Sequence, residues 1–177
     1  MPGPLHGIKV IDLTRVLAGP FCTMTLADLG AEIIKIEKPG TGDDSRAFGP
    51  HLHGESAYFM SINRGKKSLT LDLKAEKGRE IFLKLVKDAD VVVENFKPGV
   101  MKKLGLDYAA LQKINPKLIY CASSGFGQTG PYSSRPAYDL IIQGMGGLMS
   151  ITGPDASQPT KVGSSIADIF AGVFSAI

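Results

Sequence analysis

Apolar residues along this chain come in short blocks, and their spacing switches between the period of a strand and that of a helix. IKVIDLT (8–14) is a mostly β-branched apolar run behind Gly7, the pattern of a buried strand. PFCTMTLADLG then predicts a helix, with Pro20 suited to its first turn and Gly30 to its C-terminal end. AEIIKIEKPG (31–40) reads as a second strand, stopped by Pro39 and Gly40. Together they form a βαβ unit of about 30 residues, which requires parallel strands and a right-handed crossover.

The alternation continues. Residues 41–66 read as a long polar connection. KSLTLDLK (67–74) sets Leu69, Leu71 and Leu73 against polar neighbours, as in a half-exposed strand. AEKGREIFLKLVKDA (75–89) is amphipathic with a helical period, and DVVVENF (90–96) is another buried strand. GLDYAALQKIN (105–115) predicts a short helix with Asp107 as its N-cap, and KLIYCASSG (117–125) a further strand. The pattern therefore predicts an α/β fold, Rossmann-like, with a mostly parallel sheet flanked by helices. Ligands of such sheets sit beyond the strand C-termini, so TRVLAGP, IEKPG, LDLK, VENFKPG and ASSGFGQTG are the stretches expected to carry function.

Composition narrows the classes. The chain has 177 residues, 44% of them hydrophobic, enough for one domain with a substantial core. No run reaches the roughly 18 apolar residues of a membrane span. The start, MPGPLHGIKVIDL, lacks the basic and apolar blocks of a signal peptide, so the cytoplasm is the expected compartment. A net charge of +3 suits a small anionic ligand and is too weak to argue for nucleic acid. Cys22 and Cys121 have no motif spacing, which argues against a disulfide framework. The chain ends on the apolar stretch IFAGVFSAI, a face that needs something to pack on. The expectation is that residues 1–177 are the N-terminal portion of a longer protein.

Several motifs admit a plain and a functional reading. Glu37 ends the second strand where a ribose-binding acid would sit, but TRVLAGP is not GxGxxG, which argues against NAD. His51 and His53 form an H-x-H pair with nothing nearby to complete a metal site, and no metal is expected. GMGGLMSITGP (144–154) is either a tight turn or a ligand-facing loop. Lys38, Lys66, Lys67, Lys74, Lys97, Lys102 and Lys103 lie at or beyond predicted strand ends, either as solvated lysines or as a basic rim for a polyphosphate. Asp168 is the lone acid in KVGSSIADIFAGVFSAI. The pattern alone favours a helix N-cap there. The same place suits a nucleophile, because helix-start amides stabilise a carboxylate as the anion and small neighbours leave room for a substrate.

Taken together, GIKVIDLTRVLAGPFCTMTLADLGAEIIKIEKPGTGD, NRGKKSLTLDLK, VENFKPGVMKKLGL, NPKLIYCASSGFGQTGPY, RPAYDLIIQGMGGLMSITG and VGSSIADIFAG resemble, in order and spacing, the class III CoA-transferases. That family includes formyl-CoA and carnitine CoA-transferases and α-methylacyl-CoA racemase. The resemblance implies the first part of a Rossmann-like large domain, in a protein about twice this length that forms a homodimer of interlocked chains. It implies transfer of CoA from an acyl-CoA to a free carboxylic acid through a covalent intermediate on Asp168, with CoA as substrate and no further cofactor. The implied CoA contacts are Val16 and Leu17 after the first strand and Lys38 after the second. Leu71, Asp72, Leu73 and Lys74 match a further stretch, as do Asn95, Phe96 and Lys97, then Lys103, Arg135 and Tyr138. Leu17 stands where formyl-CoA transferases carry glutamine, which argues against formyl and oxalyl substrates. Tyr138 stands where the racemases carry histidine. Racemisation needs a base on each face of the α-carbon, and a phenol, with an ordinary pKa of about 10, is a poor one at neutral pH. Transferase is therefore expected over a racemase, and a CoA-binding fragment without activity is the remaining alternative.

Overall fold

Alternation along the strands sends apolar side chains to both faces of one sheet, and helices cover each face. The computed structural model describes residues 2–155 and 157–177. In chain order the elements are β1 (Lys9–Asp12), α1 (Ala18–Asp28), β2 (Glu32–Glu37), a 3₁₀ turn (Asp44–Ala47) and a hairpin of β3 (His51–Leu52) and β4 (Glu55–Ser56). Next come α2 (Ala57–Asn63), β5 (Lys66–Thr70), α3 (Glu76–Lys87), β6 (Val91–Glu94), α4 (Val100–Leu104) and α5 (Tyr108–Leu111). The chain continues through β7 (Ile119–Ala122), α6 (Asp139–Met145) and a 3₁₀ turn (Leu148–Ile151) to α7 (Ile166–Ala176).

The main sheet runs β5-β2-β1-β6-β7, with every neighbouring pair parallel. Its order reverses between β1 and β6. Val10, Ile33 and Val93 face α1 through Cys22 and Leu26, with Ala176 of α7 packed against them. Ile11, Ile36 and Val92 face the other way, onto Phe82 and Val86 of α3, Met101 of α4 and Leu111 of α5. Phe82 and Val92 are wholly buried. Each such side chain contributes about 1.5–3 kcal/mol of transfer free energy.

The α/β class, the parallel first unit and the five strands match the sequence-based reading. The polar connection does not. Residues 41–66 hold a 3₁₀ turn, the small hairpin and α2, whose Ile62 packs beneath Leu17 and Met24. The expected helix over 105–115 is shorter, at Tyr108–Leu111, although Asp107 does cap it by accepting from the Ala110 amide. A second short helix, α4, precedes it between Gly99 and Gly105, both left-handed. Among the described residues, no helix is long and apolar enough to cross a membrane.

Charges are buried where β1 and β2 end. Asp12 is fully buried, 3.1 Å from the Lys66 ammonium, and accepts from the Thr14 and Thr23 hydroxyls. Lys35, at 1% exposure, pairs with Asp43 at 2.8 Å and donates to the Thr14 carbonyl. Lys66 is therefore neither a solvated lysine nor part of a rim: it opens β5 and reaches inward. Burial disfavours ionised Asp12, but Lys35, Lys66 and the threonine hydroxyls more than offset it and hold its pKa below the usual range. Burial pulls Lys66 down to about 8 against the attraction of Asp12.

Glu37 ends β2 beside this cluster. Burial opposes its charge, yet the Arg46 guanidinium, the Ser68 hydroxyl and the Asp43 amide bring its pKa from 4.5 to about 2. Because the folded pKa is depressed, the stabilisation is fully present above about pH 4.5 and is lost as pH falls towards 2. Urea unfolding at stepped pH should therefore find Glu37→Gln clearly less stable than the parent at pH 7. The two should converge as pH approaches 2, and a constant difference across that window would refute the assignment.

Candidate active site

The turn after β1 is held from below and from the side. Lys35 donates to the Thr14 carbonyl, and Asp43 accepts from the Val16 amide at 3.2 Å while also accepting from the Ser45 amide and hydroxyl. Val16 is left-handed, with φ of 68°, a costly state for a β-branched residue. From the β6 side, Asn95 grips the backbone of Arg15 twice. Its Oδ1 accepts from the Arg15 amide, and its Nδ2 donates to the Arg15 carbonyl, both at 2.8 Å. The Arg15 guanidinium pairs with Asp44 and lies 5.4 Å from the Phe96 ring centroid.

These turns wall a cleft of about 260 Å³ beyond the strand C-termini, at the point where the strand order reverses. It brings together Val16, Leu17, Asn95, Phe96, Lys97, Arg135, Tyr138 and Asp168 from the predicted set. Lys38 lies in a smaller adjoining cavity that shares Arg15 and Phe96, and its ammonium pairs with Asp44 at 2.6 Å. The remaining predicted residues do not line the cleft. Leu71 donates its amide to the Glu37 carbonyl next to Lys38, but its side chain is buried in the core, with Leu73 packed against it. Asp72 accepts from the Lys74 amide in the turn before α3. Lys103 is exposed on α4, next to Lys102. Lys102 lines a separate cleft of about 910 Å³, which also involves β7 and Lys97.

Asp168 departs from its expected local role. Ser165 occupies the N-cap position of α7, and Asp168 lies in the first turn of the helix. The cap comes from a distant residue. Asp139, first residue of α6, accepts from the Ala167 amide at 2.8 Å and, at 3.4 Å, from that of Asp168. The helix-start amides are therefore taken by another carboxylate, and the expected lowering of the Asp168 pKa does not occur. Burial, then the Asp139 charge beside it, pushes it upward. Gly144, Gly146 and Gly147 end α6 in a tight turn before the 3₁₀ turn, with only Gly147 of the three left-handed. His51 and His53 are exposed on and beside the small hairpin.

Residues 5–177 match the model of CoA-transferase family III. The chain belongs to that family. It is 57% identical to an acetyl-CoA:oxalate CoA-transferase of Acetobacter aceti over 97% of its own length and 44% of the relative's. It is 49% identical to a human succinyl-CoA:glutarate CoA-transferase over 97% of its length and 39% of that protein's. A crystal structure of a CAIB/BAIF family protein from Brucella suis superposes with a TM-score of 0.94 at 52% identity, covering 99% of this chain and 48% of that one. The chain thus spans less than half the length of these relatives.

The structural roles of two residues of this family III chain were not legible in its sequence. Arg15 sits inside TRVLAGP, a stretch marked as a strand end, yet its tie to Asn95 requires the two strand ends to be adjacent. Asp139 had no local signal, because the helix it caps begins 27 residues later in sequence, at Ile166. The position of α7 itself depends on Gly172. A Cβ there would sit 2.5 Å from the Ala18 carbonyl oxygen and 3.0 Å from Cβ of Phe21, so only glycine allows α7 to lie this close to α1. Gly172→Val should cost about 1–3 kcal/mol through overpacking. Thermal denaturation should show a lowered midpoint, and an unchanged midpoint would mean that α7 does not pack on α1 in this way.

Proposed function

We propose that the complete protein moves CoA from an acyl-CoA donor to a free dicarboxylic acid, with Asp168 as the covalent carrier. The observation that carries this reading is the presence of Asp168 on the wall of a cleft shared with Val16, Leu17, Asn95, Phe96 and Lys97. Asp168 Oδ attacks the thioester carbonyl carbon, the C–S bond breaks, and CoA leaves as thiolate. The thiolate then attacks the aspartyl carbonyl of the mixed anhydride, releasing the donor acid and leaving an aspartyl-CoA thioester. The acceptor carboxylate displaces CoA to form a second anhydride. CoA returns to the acceptor's carbonyl, which regenerates Asp168. One thioester replaces another, so the exchange needs no external energy source and no cofactor beyond CoA. An upward-shifted carboxyl is more basic, which favours attack provided it is ionised.

The relatives are named for oxalate and glutarate, both dicarboxylates. Arg15, Lys97 and Arg135 supply positive charge along the same cleft, suited to an anionic acceptor and to the phosphates of CoA. Leu17, in place of glutamine, argues against oxalyl transfer. The relative named for oxalate weighs the other way, so oxalate belongs in the assay panel. The proposed CoA path runs outward from the cleft residues Asn95, Phe96, Arg135 and Tyr138 to Lys38, Lys74 and Lys103, with the main chain of Leu71, Asp72 and Leu73 beside it. Racemisation is disfavoured by Tyr138, which is 78% exposed at the cleft and replaces the histidine base. An interlocked homodimer in the cytoplasm completes the reading.

Incubating the full-length protein with succinyl-CoA and then hydroxylamine should leave a hydroxamate on Asp168. Asp168→Asn should lower turnover by about three orders of magnitude or more while CoA still binds. A variant with near-parental turnover would reduce Asp168 to a structural residue. In calorimetry, Lys103→Ala should weaken CoA binding about tenfold, an effect that shrinks at high salt. Unchanged affinity would place the nucleotide elsewhere.

A further inference from the structure

The loop before α7, the head of α7 and the start of α6 are joined by a chain of part-buried polar contacts. The Val162 amide donates to Gln143 Oε1 at 2.8 Å, and Gln143 Nε2 donates to Asp139 Oδ2 at 2.6 Å. Asp139 Oδ1 then accepts from the Ala167 and Asp168 amides. Gln143 is 1% exposed, so its two amide ends have no solvent to fall back on. Each group in the relay has one chemical sense. Gln143 must donate towards Asp139, and Asp139 must accept on both of its oxygens.

We propose that Asp139, braced by Gln143, is the positioning residue for Asp168. It occupies the amides at the head of α7, so that the Asp168 carboxylate is denied them and is presented to the cleft. The proposal rests on Asp168 being the nucleophile. A carboxylate in the first turn of a helix is ordinarily stabilised by the free amides there, which lowers its basicity. Here a second carboxylate takes that place. Among the described residues, no hydrogen bond lowers the Asp168 pKa; burial and Asp139 both raise it. Its surroundings in the cleft are Arg15, Asp44, Lys97, Arg135 and Tyr138, and the phenol of Tyr58 on α2 also feels its charge. Asp139 therefore fixes the backbone that carries the nucleophile and keeps its lone pairs free.

The relay dictates its own test in the full-length protein. Asp139→Asn leaves one oxygen and one NH₂ where two acceptors are needed, so either Gln143 or the α7 amides lose a partner. Adding Gln143→Glu restores the relay with the sense of one bond reversed and gives up only the long 3.5 Å contact to the Ser164 carbonyl. The new side-chain amide at position 139 donates to the new carboxylate at position 143, and that carboxylate still accepts from the Val162 amide. Two readouts are followed: single-turnover acylation of Asp168 from succinyl-CoA, trapped as hydroxamate, and hydrogen–deuterium exchange at the 167 and 168 amides. Asp139→Asn should slow acylation about 100-fold, in line with a small misplacement of the reacting group. It should also speed amide exchange and move the acid limb of the acylation–pH profile downward. The double variant should regain amide protection and recover acylation to within about tenfold of the parent, as expected of coupled neighbours. Parental acylation in Asp139→Asn, or a double variant no better than the single, overturns the proposal. Unchanged exchange in Asp139→Asn overturns the contact itself, whatever the nucleophile. A parent protein without hydroxamate on Asp168 instead overturns the nucleophile reading, a result distinguishable from the other three.

Discussion

The fold depends on two lysines and two aspartates brought together out of water beneath the ends of β1 and β2. Asp12 and Lys66 are joined across 54 residues of sequence, and Lys35 and Asp43 across eight. Removing one member of such a pair costs about 3–5 kcal/mol, because the remaining charge stays buried without its partner. The apolar core could tolerate modest repacking, but this cluster could not. It sets the height of the turn after β1, since Lys35 and Asp43 hold Thr14 and Val16. It also draws the segment after β2 back over the sheet. The cleft forms where these tethered turns meet the turns after β6 and β7.

Much of the sheet was legible because its strands are runs of β-branched and apolar residues separated by Gly and Pro, and because short crossovers constrain the topology. The segment between β2 and β5 was not legible. Most of its apolar residues gather in one short run, 57–62, and the resulting helix α2 is too short to show a clear period. Lys66 misled in the same way, and Lys35 carried no sign of its buried acid. A lysine beside a strand reads as solvent-facing unless its acid is known, and those acids arrive from other elements. Local pattern therefore identified which segments were strands and left open which polar residues were interior.

For the site, the rule that ligands gather beyond strand C-termini identified the turns that wall the cleft, and the family pattern selected residues within them. The pattern could not distinguish residues that line the cleft from those behind it. Leu71 belongs to the core, and Lys38 is already occupied by Asp44. Asp168 shows the limit of reading a helix end locally. The sequence places an acid near a helix start, and capping is the usual outcome. That cap is instead provided by Asp139, 29 residues earlier, and only tertiary structure brings the two together.

Val16 is a place where selection for stability and selection for shape pull apart. A left-handed β-branched residue carries about 1–3 kcal/mol of conformational cost, which glycine or asparagine would largely avoid. The side chain that incurs this cost also packs against the cluster of Leu17, Met24 and Ile62 and forms part of the cleft wall. Stabilising the fold by consensus or library methods would therefore favour replacing Val16, and the variants that gain most in melting temperature would be the ones that reshape the pocket.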